Sequence, residues 1–291
     1  MTGAALTRHP CTSVQEAMNM NEDHPGRVLM AFPSTGHDIS TRFLRSYVEL
    51  DVWDRERAVQ VWEAMGAPES PTPIDLRLLH NYVAVEASAN LAKARNRLVD
   101  EFLTNHDADA EWLWFCDTDM VFEPDTMHRM VARAVQFDVK ILGALCVIVT
   151  ADGPIPTLFI DDPDTVTQVM LDWPEGQVAQ VAATGTGCLL VHRDVLIDMQ
   201  KNAGGSTNAW FGYDVVESES GKEWALGEDI SFCIRAGAAG HATHVDTTLH
   251  VGHHKGSKVW WPSETKTNPA QLSPERMAKR DDANERDVIE V

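Results

Sequence analysis

Residues 112–116 read Trp-Leu-Trp-Phe-Cys, an unbroken apolar run that stops at Asp117, Thr118 and Asp119. A short run of this kind is the signature of a buried strand. Two carboxylates at the end of such a strand are costly near a core unless something positive neutralises them. A divalent metal carrying a diphosphate does so: it clamps phosphate oxygens and stabilises the charge that develops on a departing nucleotide. A polar turn with two solvated aspartates is the plain alternative, and D-x-D alone does not separate the two.

The flanking sequence sets the frame. Residues 28–32 form a first apolar strand that reaches a turn signal at Pro33-Ser34-Thr35-Gly36. Residues 40–65 have helical spacing, and 76–85 include a second strand. Residues 88–103 form a helix with Leu91, Ala94, Leu98 and Phe102 on one face. Pro124 stands where a first-turn proline belongs, and Met127, Met130, Val131 and Ala134 continue that helix. Residues 140–149 read as a fourth, fully apolar strand. This alternation predicts an α/β fold with a mostly parallel central sheet, right-handed crossovers and flanking helices.

Beyond about residue 150 the texture turns to short β-like pieces, at 157–160, 167–171 and 178–182. Thr184-Gly185-Thr186-Gly187, a short strand at 188–191, helices near 194–201 and 228–238, and an extended stretch at 244–251 follow. The expected division is an extension over 1–26, one domain over 27–261 with halves 27–150 and 151–261, and a polar tail over 262–291.

A formal net charge of −20 argues against a broad basic surface for a polyanion, though not against a local pocket for one nucleotide. The 5 cysteines include no C-x-x-C pair, which points to reduced thiols and a cytoplasmic protein. Residues 1–27 contain no apolar core of a secretory signal, and the apolar stretch at 139–149 is too short to span a bilayer, so no membrane insertion is expected.

Four segments carry the chemistry. They are Lys93-Ala94-Arg95-Asn96-Arg97, Trp114-Phe115-Cys116-Asp117-Thr118-Asp119-Met120, Gly227-Glu228-Asp229-Ile230-Ser231-Phe232, and Val251-Gly252-His253-His254. In this order and spacing they resemble the nucleotide-sugar glycosyltransferases of the GT-A fold, in particular bacterial and phage family-2-like members with an A-R-N helix, a D-x-D, an E-D-x-x-F helix and a late V-G-H. The likeness covers roughly residues 27–256.

The resemblance implies a hexosyltransferase-like enzyme with a nucleotide diphosphate sugar donor, a UDP-sugar favoured over a GDP-sugar, and Mn²⁺ or Mg²⁺. It assigns Asp117, Asp119 and His253 to the metal, and Phe32, Pro33, Ser34, Arg95 and Gly185, with the two aspartates, to the donor. Asp229 becomes the base for an inverting transfer, with Glu228 supporting it. Each has a plainer reading: a strand-to-loop turn, a surface arginine, a tight turn at Gly185, a helix N-terminus that favours carboxylates. For His253 the alternatives are a solvated histidine loop, or a zinc site with His250 and His254. Trp210 and Trp260 offer faces for a sugar ring, though large aromatics are more often core.

Two rival functions remain at this level. A metal-dependent nucleotidyltransferase would ordinarily carry a basic glycine-rich loop after the first strand, and residues 33–36 have no basic residue. A non-catalytic nucleotide-sugar-binding module would not need Asp117, Asp119, Asp229 and His253 together. The acceptor stays open between a protein, a glycan, a small molecule and a modified base.

Overall fold

The structure, a computed structural model, describes residues 26–34, 39–86, 90–104, 110–151 and 153–267. Its strands are β1 (Arg27–Ser34), β2 (Leu79–Glu86), β3 (Ala110–Cys116), β4 (Met120–Val121), β5 (Ile141–Leu145), β6 (Val147–Thr150), β7 (Gly153–Pro156), β8 (Leu158–Asp162), β9 (Val166–Val169), β10 (Val178–Val181), β11 (Ala183–Thr184), β12 (Cys188–His192), β13 (Val215–Glu217), β14 (Glu223–Ala225), β15 (Thr243–His250), β16 (Gly252–Lys255) and β17 (Lys258–Trp260). Its helices are α1 (Thr41–Ala64), α2 (Leu91–Thr104), α3 (Thr126–Gln136), α4 (Arg193–Asn202) and α5 (Glu228–Ala238), followed by a 3-10 turn, Pro262–Thr267.

Seven strands form the central sheet, in the order β10-β15-β5-β12-β3-β1-β2. β1 pairs in parallel with β2 and β3, and β5 with β15, while β12 and β10 run against their neighbours. The sheet is therefore mostly parallel, and it draws strands from both sides of residue 150. Strand alternation explains the apolar runs. Leu29, Ala31, Leu113 and Phe115 pack on one face against Leu98 and Phe102 of α2, Leu196 of α4 and Phe232 of α5. Val28, Met30, Trp112 and Trp114 pack on the other against Phe43 and Leu50 of α1 and Met127 and Met130 of α3. The fully covered part of β3, residues 112–116, carries no charge, and the two carboxylates follow where the strand ends.

Three expectations need correction. The apolar stretch 140–149 is two strands, not one: β5 stays in the central sheet, and β6 leaves it to pair with β7. No turn residue marks the break at Cys146. The redirection comes from its surroundings, where the Cys146 carbonyl accepts from Thr157 N at 3.1 Å. Pro124 lies outside α3, whose cap position is Asp125. Pro33 and Ser34 are the last residues of β1, carried on by pairing with Val85 and Glu86 of β2. Past β17, the 3-10 turn Pro262–Thr267 buries Thr265. Residues 1–25 and 268–291, with Thr35, Gly36 and Ser88, fall outside the described residues.

Among the described residues no helix is long and apolar enough to cross a membrane. Cys116, Cys146, Cys188 and Cys233 are free and buried.

Candidate functional site at the C-terminal edge of the sheet

Open α/β sheets bind ligands outside the carboxyl ends of their parallel strands. Here β3 delivers Asp117 to that edge, and β12, running the other way, begins beside it. Asp117 N donates to Gly187 O at 3.0 Å, and Met120 N donates back to Asp117 O at 3.0 Å, so residues 117–120 form a tight turn. Gly187 packs closely here: a Cβ on it would lie 2.7 Å from Met120 Cε and would have to displace the end of that side chain.

Arg95 organises the acidic groups. It is 2% exposed, on the side of α2 that faces the sheet edge. Nη1 donates to Glu228 Oε1 at 2.5 Å, and Nη2 donates to Asp117 Oδ1 and Oδ2 at 3.1 and 3.2 Å. A planar fork with several fixed donors suits this double task in a way a lysine would not. Next to it, Asn96 clamps Phe211: Nδ2 donates to Phe211 O at 2.8 Å and Oδ1 accepts from Phe211 N at 3.0 Å. The A-R-N segment thus ties D-x-D and E-D together with one residue and holds the intervening loop with the next.

Asp229 sits one residue into α5. Its Oδ1 accepts from Ile230 N at 2.9 Å. Oδ2 lies 3.7 Å from the position a Cβ on Gly185 would take, and that Cβ would also press on Thr157 Cγ2 at 3.2 Å. The turn at residues 185–187 therefore bridges Asp229 at one end and Asp117 at the other. Burial raises the Asp229 carboxyl above the ordinary aspartate value, and the neighbouring Glu228 charge adds to it, against the pull of Arg95. Asp117 is raised too, by burial first, with Arg95 opposing and Asp119 reinforcing.

Asp119 belongs to a second group. β4 pairs antiparallel with β16, placing Met120 opposite His253, and His254 N donates to Asp119 O at 2.8 Å. That register brings His253 Nε2 to 3.1 Å from Asp119 Oδ2, while Lys255 Nζ donates to the same oxygen at 2.6 Å. Burial would raise the Asp119 carboxyl, but the hydrogen bonds from His253 and Lys255 outweigh it and hold it at about 2. His253 Nδ1 meets the Val147 carbonyl at 2.8 Å, which leaves Nε2 as the ring nitrogen turned to Asp119.

The three late histidines part company. His254 Nδ1 pairs with Ser40 Oγ at 2.7 Å, and His250 Nε2 with Thr247 O at 3.1 Å, so neither shares a partner with His253. Among the described residues no three His, Cys, Asp or Glu side chains form a group able to hold a metal unaided. What the site does offer is a carboxylate oxygen and a ring nitrogen 3.1 Å apart. Neighbouring ligands of one octahedral ion, each at about 2.1 Å, stand about 3.0 Å from each other. The spacing of this pair matches that of two neighbouring ligands of one such ion.

Of the other expected residues, Phe32 stacks on Tyr82 with ring centroids 5.7 Å apart and meets Phe43 edge-on, closing β1 with an aromatic step. Pro33 is buried beside it and Ser34 half-buried. Trp210 is core: it is fully buried and its Nε1 donates to Leu196 O at 2.8 Å. Trp260 stays part-exposed, with Lys258 Nζ 3.5 Å from its ring centre. Sequence reasoning missed Lys255, although it directly follows the V-G-H-H segment, and Met120, which fills the space under Gly187.

No protein-family model matches the chain, and no curated protein matches it. Among solved structures, the crystal structure of A197 from STIV superposes with a TM-score of 0.50 at 18% identity, over 79% of this chain and 86% of that one. The structure of GalNAc-T7 with UDP, GalNAc and Mn2+ gives a TM-score of 0.47 at 12% identity, over 81% of this chain and 45% of that one. The likeness to A197 is one of fold.

Proposed function

We propose that the chain is a metal-dependent glycosyltransferase that moves a sugar from a nucleotide diphosphate sugar, a UDP-sugar before a GDP-sugar, to an acceptor hydroxyl. The observation that carries this reading is the Gly185–Gly187 turn, which abuts the Asp229 carboxylate at one end and the Asp117 carboxylate at the other. A candidate base and the candidate anion-neutralising group thus flank one turn.

On this reading residues 27–150 hold the nucleotide, with Phe32, Pro33 and Ser34 at the end of β1, and residues 151–261 receive the acceptor. Asp119 and His253, with Asp117 alongside, would hold Mn²⁺ or Mg²⁺. When bound, the ion supplies positive charge against the diphosphate as it leaves. Arg95 keeps Asp117 and Glu228 at fixed positions, so their charges need not reorganise during the reaction. Asp229 takes the proton of the acceptor hydroxyl as the oxygen attacks the anomeric carbon. A carboxylate whose proton affinity is raised by burial is a stronger base than a solvated one. Attack opposite the departing diphosphate inverts the anomeric centre.

The test is a thermal-shift screen of UDP, GDP and their sugars with and without Mn²⁺, followed by assay of the released nucleotide. A ligand at a hundred times its dissociation constant should stabilise the fold by about 2.7 kcal/mol. Stabilisation by no nucleotide under either condition would overturn the proposal.

A further inference from the structure

Lys255 has no place in the chemistry above, yet it touches the atom on which that chemistry turns. It ends β16, its side chain is 51% exposed, and its Nζ lies 2.6 Å from Asp119 Oδ2, the oxygen that also faces His253 Nε2. The neighbouring cation on the same hairpin is committed elsewhere. Lys258, opposite Lys255 in the β16–β17 pairing, donates to Glu264 Oε1 at 2.7 Å and lies over the Trp260 ring. Of these two lysines it is Lys255 that reaches back to the D-x-D turn.

An ammonium and a divalent cation cannot both sit on one carboxylate oxygen without strong repulsion. The ammonium is the weaker tenant. A half-exposed lysine pair is worth only about 0.2–1 kcal/mol, and the lysine stem is flexible. We propose that Lys255 is a stand-in cation, which neutralises Asp119 while the site is empty and is displaced from it when a divalent metal binds. The inference rests on the reading that Asp119 and His253 take the metal. It adds a regulation of that site: metal alone must compete with Lys255, whereas metal arriving with a nucleoside diphosphate gives the freed ammonium a new anionic partner. The two ligands then reinforce each other, and the empty site is protected from stray cations.

The test compares the full chain with its Lys255→Met and Lys255→Arg variants. Mn²⁺ is titrated without nucleotide, with free Mn²⁺ read by its paramagnetic resonance, and then UDP is titrated at saturating Mn²⁺ by calorimetry. Lys255→Met should bind Mn²⁺ alone about 2- to 5-fold more tightly, the fold-change that corresponds to losing an exposed ion pair. It should bind UDP more weakly, and Lys255→Arg should behave like the parent in both titrations. Equal or weaker Mn²⁺ binding by Lys255→Met, with Mn²⁺ still bound by the parent, would overturn the stand-in role and leave the metal reading in place. Absence of Mn²⁺ binding by parent and variants alike, both without and with UDP, would overturn both.

Discussion

Arg95 and Glu228 are 133 residues apart in sequence, and Arg95 Nη1 donates to Glu228 Oε1 at 2.5 Å. This contact, with the Nη2 bonds to Asp117, makes one guanidinium the joint between the end of β3 and the start of α5. Arg95→Met would leave two carboxylates unpaired beside each other in a region with little water. The expected loss is about 3–5 kcal/mol of folding stability, with only partial recovery in Arg95→Lys, which cannot span both partners. Urea denaturation of the three proteins checks this.

Asp119→Ala should abolish Mn²⁺-dependent nucleoside diphosphate binding and keep the fold. Removing Asp119 takes a like charge away from Asp117 and frees a lysine that is half in water. The stability cost is therefore expected to be small. Calorimetric titration of UDP with and without Mn²⁺ reads the outcome, and unchanged metal dependence would remove Asp119 from the site.

His253→Ala should weaken Mn²⁺ binding, whereas His250→Ala and His254→Ala should not. The contrast follows from their partners: His253 faces Asp119, His254 faces Ser40 at the start of α1, and His250 faces a backbone carbonyl. Equal, negligible effects of all three would favour a histidine loop with no metal role.

Asp229→Asn keeps the size of the side chain and its acceptor oxygen for Ile230 N, and it removes the basic site. Transfer should fall in kcat by about 10²–10⁴ with donor affinity unchanged, since the lost interaction belongs to the transition state. Near-normal turnover, or a product that keeps the donor's anomeric configuration, would remove Asp229 as an inverting base.

Asp54 allows a pH test away from the site. Its side chain is wholly buried, accepting from Arg77 Nε at 2.8 Å and pairing with His128 Nε2 at 2.7 Å. Burial pushes its carboxyl up, but the His128 and Arg77 contacts prevail and bring it below the ordinary 3.8. A carboxyl lowered in the folded state contributes stability that is whole above its unfolded value and is lost as pH falls through the folded one. Asp54→Asn should therefore cost about 3 kcal/mol at pH 7 and progressively less as the pH is taken below 3.8. Urea denaturation at pH 7, 5, 4 and 3 follows the gap.

Much of the framework was legible because it rests on local periodicity. The helical spacing at 40–65 is α1, the pattern at 228–238 is α5, and the apolar run at 112–116 is most of β3. Each is a segment whose own hydrophobic period matches the element it forms, and the D-x-D stands where that period ends. Partnership was not legible. Nothing in the run at 140–149 announces that the chain changes sheets at Cys146. No local signal says that β12 enters antiparallel between β3 and β5, because that order is settled by pairing between strands far apart in sequence. The same holds at the site. The sequence by itself determined which side chains stand at strand ends and helix starts. Only the tertiary structure decided that Arg95 is buried between Asp117 and Glu228, and that the β4–β16 register selects His253 from three histidines and sets Lys255 on Asp119. Charge neutralisation at a sheet edge is a property of side chains brought together from distant segments, and sequence separation carries no record of it.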